Sequence, residues 1–406
     1  MKKNIVLMTC FIILAGTIGL GIWIFRDDGS EKTIEIIPSE TGEQIVDLPS
    51  EDPPLNTADS SVDSPVTVGP SEQILIDKIK LQRPEFEGTF IAPSYVDKNI
   101  VAFEVDNSNE RSSYISTISR DDETAYSKIY VAPGNGIINS LVGVDARLFW
   151  VEYSRKRQNN MKWEIKTMLI GSKKQVEVLR SGISKDEINP PLLRVNENRI
   201  TWIESDIRNN IVYSTAIIYD VTTKKITEIA AATLDETKVR KGEFFVIQQP
   251  TSQGLLIQKS LFNGTEGDSG KSFQIALYPY DLSNPLVMSE GNGIIDFTSN
   301  SEWFAWSEVG KVSIASAASK EIKHVIKTKD ETLTVDSLQL AGNKLYYRYS
   351  MFQIFELDLL SGETLEISDY RLTTSKLFRT DNFLGFSYMD AQKNDGTVEM
   401  DILEIN

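Results

Sequence analysis

The sequence predicts an all-β fold assembled from a repeated unit, and three observations lead there. Beyond Pro70, more than three hundred residues contain no long stretch with apolar side chains at three- and four-residue spacing, the mark of a helix. Short alternating runs rich in Val, Ile, Tyr, Phe and Thr stand there instead, separated by Gly, Asn, Asp and Ser. One pattern also recurs: Arg147 to Ser154 reads RLFWVEYS, Arg199 to Asp206 reads RITWIESD, and Phe304 to Val309 reads FAWSEV. A Trp-x-Glu signature can mark catalytic carboxylates or the period of a repeat, and self-similarity is the first thing to test.

The chain opens differently. Lys2 and Lys3 precede an uncharged run from Asn4 to Phe25, long enough to cross a bilayer as a helix. The run continues through Gly21-Ile-Trp-Ile-Phe25 to Arg26, with Trp23 where an interfacial ring belongs. Residues 1–26 are therefore read as an uncleaved transmembrane anchor rather than a removed signal peptide. The two lysines lie before the span and Asp27 and Asp28 follow Arg26, so the N-terminus is expected in the cytoplasm and the bulk of the chain outside the cell membrane. Cys10, the sole cysteine, lies inside the apolar run, which leaves the exported part without a disulfide and argues against a lipoprotein. This fits a bacterial envelope protein stabilised by a large core.

Residues 27–70 hold eleven Asp or Glu against the single Lys32, with six prolines and no aromatic residue. Such a segment cannot bury enough apolar surface to offset its ordering entropy, and it reads as a disordered spacer presenting the domain at residues 71–406. The formal charge of −16 and the lack of Lys and Arg clusters argue against nucleic acid as a partner.

Aligning on the aromatic of the repeated motif gives Phe103, Trp150, Trp202, Trp306, Tyr347 and Phe386, with Ile257 of LLIQK in the wide gap between Trp202 and Trp306. The intervals are 47, 52, 55, 49, 41 and 39 residues, the length of a four-stranded unit each. The fifth unit reads as strands at Gly293 to Phe297, Trp303 to Glu308, Lys311 to Ala315 and Ile322 to Ile326. The sixth repeats it, with Ser361-Gly362 as a hairpin turn. The seventh supplies three strands, Ser375 to Phe378, Phe383 to Tyr388 and Thr397 to Ile405, and would leave an open edge. A spare strand, Ile74 to Leu81, precedes the first unit, and pairing it into the last would close a ring. The expectation is a seven-bladed β-propeller closed by an N-terminal strand, or a six-bladed one if the fourth unit is an insertion.

Two segments, Ile218-Tyr-Asp-Val221 before Thr222-Thr-Lys-Lys225 and Phe355-Glu-Leu-Asp-Leu359 before Ser361-Gly-Glu363, follow the aromatic strands of their units. In this, residues 72–406 resemble the bacterial TolB-like and related WD40-like propellers. The Ser-Pro-Asp-Gly turn of that superfamily is absent from every unit, as are the WD40 Gly-His and Trp-Asp pairs.

The candidate chemistry is thin. Glu152, Glu204 and Glu308 each lie two residues after the aromatic, on the same face of equivalent strands, and so are spread over different units rather than gathered. His324, the single histidine, alternates with Ile322 and Ile326 on an apolar strand face, the pattern of a core or interface residue rather than a general base. One histidine and no exported cysteine exclude the usual zinc sets, and there is no Gly-x-Ser-x-Gly elbow. The acidic loops Asp106 to Glu110, Asn263 to Gly270 and Asp390 to Gly396 lack the register of a calcium loop and read as polar turns. No catalytic, cofactor or metal residue is assigned; Asp145 and Asp296, from innermost or adjoining segments, are weak candidates for carboxylates at a central channel. The function expected is a membrane-anchored, extracytoplasmic, non-catalytic module binding a protein or envelope component. A glycan-active enzyme with channel carboxylates is the alternative, and a sensor ectodomain the third reading.

Overall fold

Where the sequence alternates, the backbone is extended, and strands pair with their sequence neighbours because the turns between them are short. The computed structural model describes residues 76–405 apart from 108–110, 123, 155–159, 173–175, 186–187, 237–239, 265–270, 292, 329–331, 372 and 389–394. The anchor at 1–26 and the linker at 27–70 lie outside the described residues. Among the described residues no helix is long and apolar enough to cross a membrane, and the helical structure present is one 3-10 turn, Pro84–Phe86.

Among the described residues, four antiparallel strands make each of five sheets, and eight make a sixth. The first holds β2 (Tyr95–Val96), β3 (Ile100–Asn107), β4 (Ser112–Ser119) and β5 (Tyr126–Val131); the next β6 (Gly136–Val144), β7 (Arg147–Ser154), β8 (Asn160–Leu169) and β9 (Glu177–Lys185). An eight-stranded sheet follows, with β10 (Arg194–Asn196), β11 (Arg199–Arg208), β12 (Ile211–Asp220), β13 (Lys225–Asp235), β14 (Lys241–Pro250), β15 (Gly254–Asn263), β16 (Lys271–Pro279) and β17 (Leu286–Gly291). The ladder between its halves consists of Leu234 opposite Gly242 and Asp235 opposite Lys241, so it is two four-stranded units whose sheets run on into one another at one end. Then come β18 (Asp296–Ser299), β19 (Trp303–Glu308), β20 (Lys311–Ser316) and β21 (Ile322–Lys327), and β22 (Val335–Ala341), β23 (Lys344–Tyr349), β24 (Gln353–Asp358) and β25 (Thr364–Glu366). The last sheet places β26 (Phe378–Thr380), β27 (Phe383–Tyr388) and β28 (Thr397–Glu404) beside β1 (Ile76–Gln82), which pairs antiparallel with β28 from Ile76 opposite Leu403 to Gln82 opposite Thr397. The arrangement is all-β and propeller-like.

Burial varies across each sheet. The second strands are covered on both faces: β7 is buried from Leu148 to Glu152, the near-continuous pattern of a strand packed between layers. The fourth strands are wetter, with Val178 and Ile183 of β9 exposed.

Seven apolar clusters among the described residues each lie between two consecutive units, and each contains one residue of the sequence repeat. Phe103 packs with Ile79, Leu81, Met400 and Ile402 of the β1–β28 pair. Trp150 lies with Ile115 of the preceding sheet, Trp202 with Phe149 and Val151, and Ile257 with Ala216 and Ile218. Trp306 lies with Ile275, Tyr347 with Val312 and Ile314, and Phe386 with Ile354. A buried ring between sheets removes large apolar area from water, worth roughly 3–5 kcal/mol for each Trp or Phe if truncated to Ala.

The shortest strands depart from expectation. The first strand of the fifth unit is Asp296–Ser299 and not Gly293 to Phe297, because Gly293 has φ 91° and turns the chain before the ladder starts. In the last sheet the first strand is Phe378–Thr380 rather than Ser375 to Phe378, because the N–H of Leu377 is taken by Ser337 Oγ at 2.6 Å instead of a ladder carbonyl.

Candidate functional site

The glutamates of the repeat face the fourth strand of the preceding unit. Glu152 Oε2 accepts from Tyr130 OH of β5 at 2.6 Å, and its Oε1 lies 2.6 Å from Lys166 Nζ. Glu204 is gripped by Arg180 of β9 through Nε and Nη2, both at 2.9 Å, and also accepts from Trp202 Nε1 at 2.9 Å. Glu308 pairs with Lys311 at 2.9 Å and stands so close to β17 that a Cβ on Gly291 would meet its Oε1 at 3.2 Å. Burial pushes the Tyr130 hydroxyl up to about 12, and the Glu152 carboxylate adds to it. Burial alone would lower the Lys166 ammonium, yet the bond and charge of Glu152 outweigh it and hold the group above its ordinary value. A shallow cavity of about 270 Å³ opens beside this group, bordered by Pro133, Asn135, Glu152, Lys162 and Glu164.

A second collection of charge forms where the first strands begin. Asp296 opens β18; its Oδ1 accepts from the N–H of Phe297 at 2.9 Å and its Oδ2 from that of Leu338 in β22 at 3.0 Å. Arg348 forks onto Asp336, Nε to Oδ1 and Nη2 to Oδ2 at 2.7 Å each, and gives Nη1 to the carbonyl of Thr374 at 2.7 Å. Lys376 and Arg194 complete the group. Burial raises the Asp296 carboxyl, Lys376 and Arg194 draw it back, and Asp336 adds to the rise. Lys376 is lowered by burial, against Asp336 and Asp296. Its side chain is exposed to solvent.

Asp145 belongs elsewhere. It follows the other end of a first strand, in the β6–β7 hairpin where Asp145 and Ala146 have φ 48° and 60°, the left-handed pair that a two-residue turn requires. There it faces Asp381 of the β26–β27 turn, whose carboxyl is raised by burial and by the charge of Asp145, against Arg379, with Glu197 adding to the rise. The two channel candidates, Asp145 and Asp296, therefore occupy opposite ends of the first strands and separate charge clusters.

His324 is buried, its Nε2 2.9 Å from the carbonyl oxygen of Leu359 and its ring 6.0 Å from Trp303. Among the described residues no group of His, Cys, Asp or Glu is gathered to hold a metal. Residues 108–110, 265–270 and 389–394 of the three acidic loops lie outside the described residues.

Sequence reasoning missed a pair of bulges. In β6 and β22 the register shifts at Ser140 and Ser337, with φ 60° and 58°. Each serine hydroxyl accepts an N–H from the following unit at 2.6 Å, Leu193 for Ser140 and Leu377 for Ser337. Each following leucine N–H goes back to an acid of the preceding unit, Leu141 to Glu104 at 3.1 Å and Leu338 to Asp296 at 3.0 Å. A signal existed: Asn139-Ser-Leu141 and Asp336-Ser-Leu338 both place the serine ten residues before a repeat aromatic, Trp150 and Tyr347.

No protein-family model matches the chain, and no curated protein matches it. Among solved structures it is similar to the acylaminoacyl peptidase of Pyrococcus horikoshii, at 12% identity over 77% of this chain and 51% of that one, with a TM-score of 0.47. Oligopeptidase B from Leishmania major matches at 14% identity over 74% and 45%, with a TM-score of 0.42. Sqt1 from Chaetomium thermophilum matches at 12% identity over 82% and 100%, with a TM-score of 0.45. The chain spans about half the length of the two peptidases. At these identities the likeness concerns the fold alone.

Proposed function

We propose that this chain is a non-catalytic binding module: a seven-bladed propeller of the TolB-like kind, closed by β1, held outside the cytoplasm by residues 1–26 and 27–70 and directed at a protein or another envelope component. For closure, the support is that the sheet of β1 is tied to the sheet of β3 by the cluster around Phe103, by the ion pair of Arg120 with Asp77, and by Ser387 Oγ donating to the carbonyl of Ile91 at 2.6 Å. For the anchor and its orientation, the support is the apolar run after Lys2 and Lys3.

The observation that carries the non-catalytic reading is that Asp296, Glu152, Glu204 and Glu308 are each tied to a protein donor. Asp296 has an N–H on each oxygen, Glu152 and Glu204 link neighbouring units, and Asp145 sits at the opposite end of the first strands from Asp296. Glycoside hydrolysis needs two carboxyl groups within roughly 5–10 Å flanking one bond, and the carboxyl that shares the Asp296 group, Asp336, is held in the fork of Arg348. A rigid, multi-sheet frame with loops at both ends suits recognition instead. The test has two arms. The full chain is incubated with peptidoglycan and soluble glycan oligomers, and reducing ends are measured; none should be released. The full chain carrying a photo-crosslinker at an exposed loop is then irradiated in envelope fractions, and a discrete adduct is expected. Reducing ends that disappear in Asp296→Asn would overturn the reading, as would repeated irradiation without any adduct.

A further inference from the structure

The face that the β6–β9 sheet turns toward the β2–β5 sheet is only partly covered. Residues directly opposite one another in an antiparallel pair lie on one face. The register therefore sorts the side chains into rows: Trp150, Lys166 and Val178; then Glu152, Glu164 and Ser181; then Lys162 and Ile183. The first row is roofed at its Trp150 end by Tyr130, whose ring lies 4.8 Å from that of Trp150 and whose hydroxyl reaches Glu152 Oε2 at 2.6 Å. Glu152, Glu164 and Lys162 of the other two rows border the cavity of about 270 Å³, together with Pro133, Asn135 and Gly136 of the connection between the two sheets. Val178 and Ile183 continue the same face as exposed apolar side chains, at 54% and 47%.

The carboxylates at this cavity are fixed from behind. Lys166 Nζ lies 2.6 Å from Glu152 Oε1 and 3.1 Å from Glu164 Oε2, and Glu152 is only 8% exposed. One ammonium bridging two carboxylates holds both as acceptors, an arrangement for binding rather than for acid–base work. Each carboxylate oxygen has more than one lone pair, so acceptor capacity remains on the cavity side. Lys162 and Asn135, neither with a partner among the described residues, bring donors to the same cavity. The formal charges cancel, Glu152 and Glu164 against Lys162 and Lys166. A charged ligand would meet a like charge here, whereas hydroxyl groups donate and accept at once. The apolar faces of such a ligand find Pro133 in the cavity and Ile183 on the strand beside it. The volume lies below the roughly 300–1,000 Å³ of drug-sized sites and matches about one or two sugar rings.

We propose that this cavity between the first two sheets binds a neutral saccharide through Glu164, Lys162 and Asn135. Glu152 and Lys166 stand behind these three as positioning residues. The proposal rests on the binding-module reading and gives it a ligand class among envelope components.

The full chain is titrated with N-acetylglucosamine, with its β-1,4-linked dimer and with maltose, each up to about 50 mM, and the melting temperature is followed, since a ligand that binds only the folded state raises it. Sorbitol, an open-chain polyol, measures the general solvent effect, and glucosamine and glucuronate at constant ionic strength measure the effect of charge. At least one neutral saccharide is expected to raise the melting temperature beyond sorbitol and beyond both charged sugars. Asn135→Ala and Lys162→Met, both at exposed positions, are each expected to weaken that saccharide by about fivefold or more while the free protein melts as before. If one variant folds poorly, the other decides. No shift beyond sorbitol for any of the three saccharides, a larger shift for a charged sugar, or an undiminished response in either folded variant overturns the proposal. Such a failure alongside a discrete envelope adduct leaves the binding-module reading standing and removes only this site.

Discussion

Glu104 shows what a single buried carboxyl does in this fold. Burial pushes it up to about 7, the N–H groups of Leu141 and Ser140 pull it down, and Asp106 pushes it further up. Between the unfolded value of 4.5 and about 7 the folded chain holds a proton that the unfolded chain has released. The stability that Glu104 contributes is therefore complete below pH 4.5 and is lost as the pH rises through about 7, by at most about 3 kcal/mol at 1.36 kcal/mol per unit. Glu104→Gln keeps the acceptor for Leu141 and cannot ionise, so its melting temperature should fall less steeply than that of the wild type between pH 4.5 and 7 in a thermal scan at each pH. Parallel profiles would remove Glu104 as a source of the slope. None of this was legible in the sequence, where Glu104 is one acid in IVAFEV. Its burial depends on Ser140 and Leu141, thirty-six and thirty-seven residues away, arriving on a bulge. The repeat residues were legible for the opposite reason: Trp150, Trp202 and Tyr347 recur at unit spacing because each fills the same place between sheets.

At the scale of elements, the long second and third strands carry enough alternation to be read from residue types, and β19 and β27 fall at the residues expected. The shortest first strands do not. β2, β10 and β26 are two or three residues long, too short for a period, and their start is set by neighbours instead. Ser337 is such a determinant: buried, at φ 58°, it accepts from Leu377 and so decides where β26 begins. Ser337→Ala should cost about 1–3 kcal/mol, the price of leaving the buried Leu377 N–H without its acceptor. Amide exchange at Leu377 should accelerate in the same variant, and an unchanged rate there would show that the bulge does not set the strand. The charged group of Asp296, Lys376 and Arg194 was illegible on the same ground, since it forms only where the short first strands of separate sheets come together.

For the whole molecule, the deciding element is the one most distant from its partner in sequence. β1 lies beside β28 with seven paired positions, buries Ile79 and Leu81, and shares with Phe103 the cluster that joins the last sheet to the first. A ring whose last unit is completed by the first strand has no open edge, and that strand can leave only when the ring opens. Hydrogen exchange of the segment Ile76–Gln82 in the full chain measures this directly. The account predicts exchange as slow as that of β28 and of the buried second strands, at the free energy of global unfolding. Exchange of Ile79 and Leu81 by a separate, low-energy opening while β28 stays protected would contradict it.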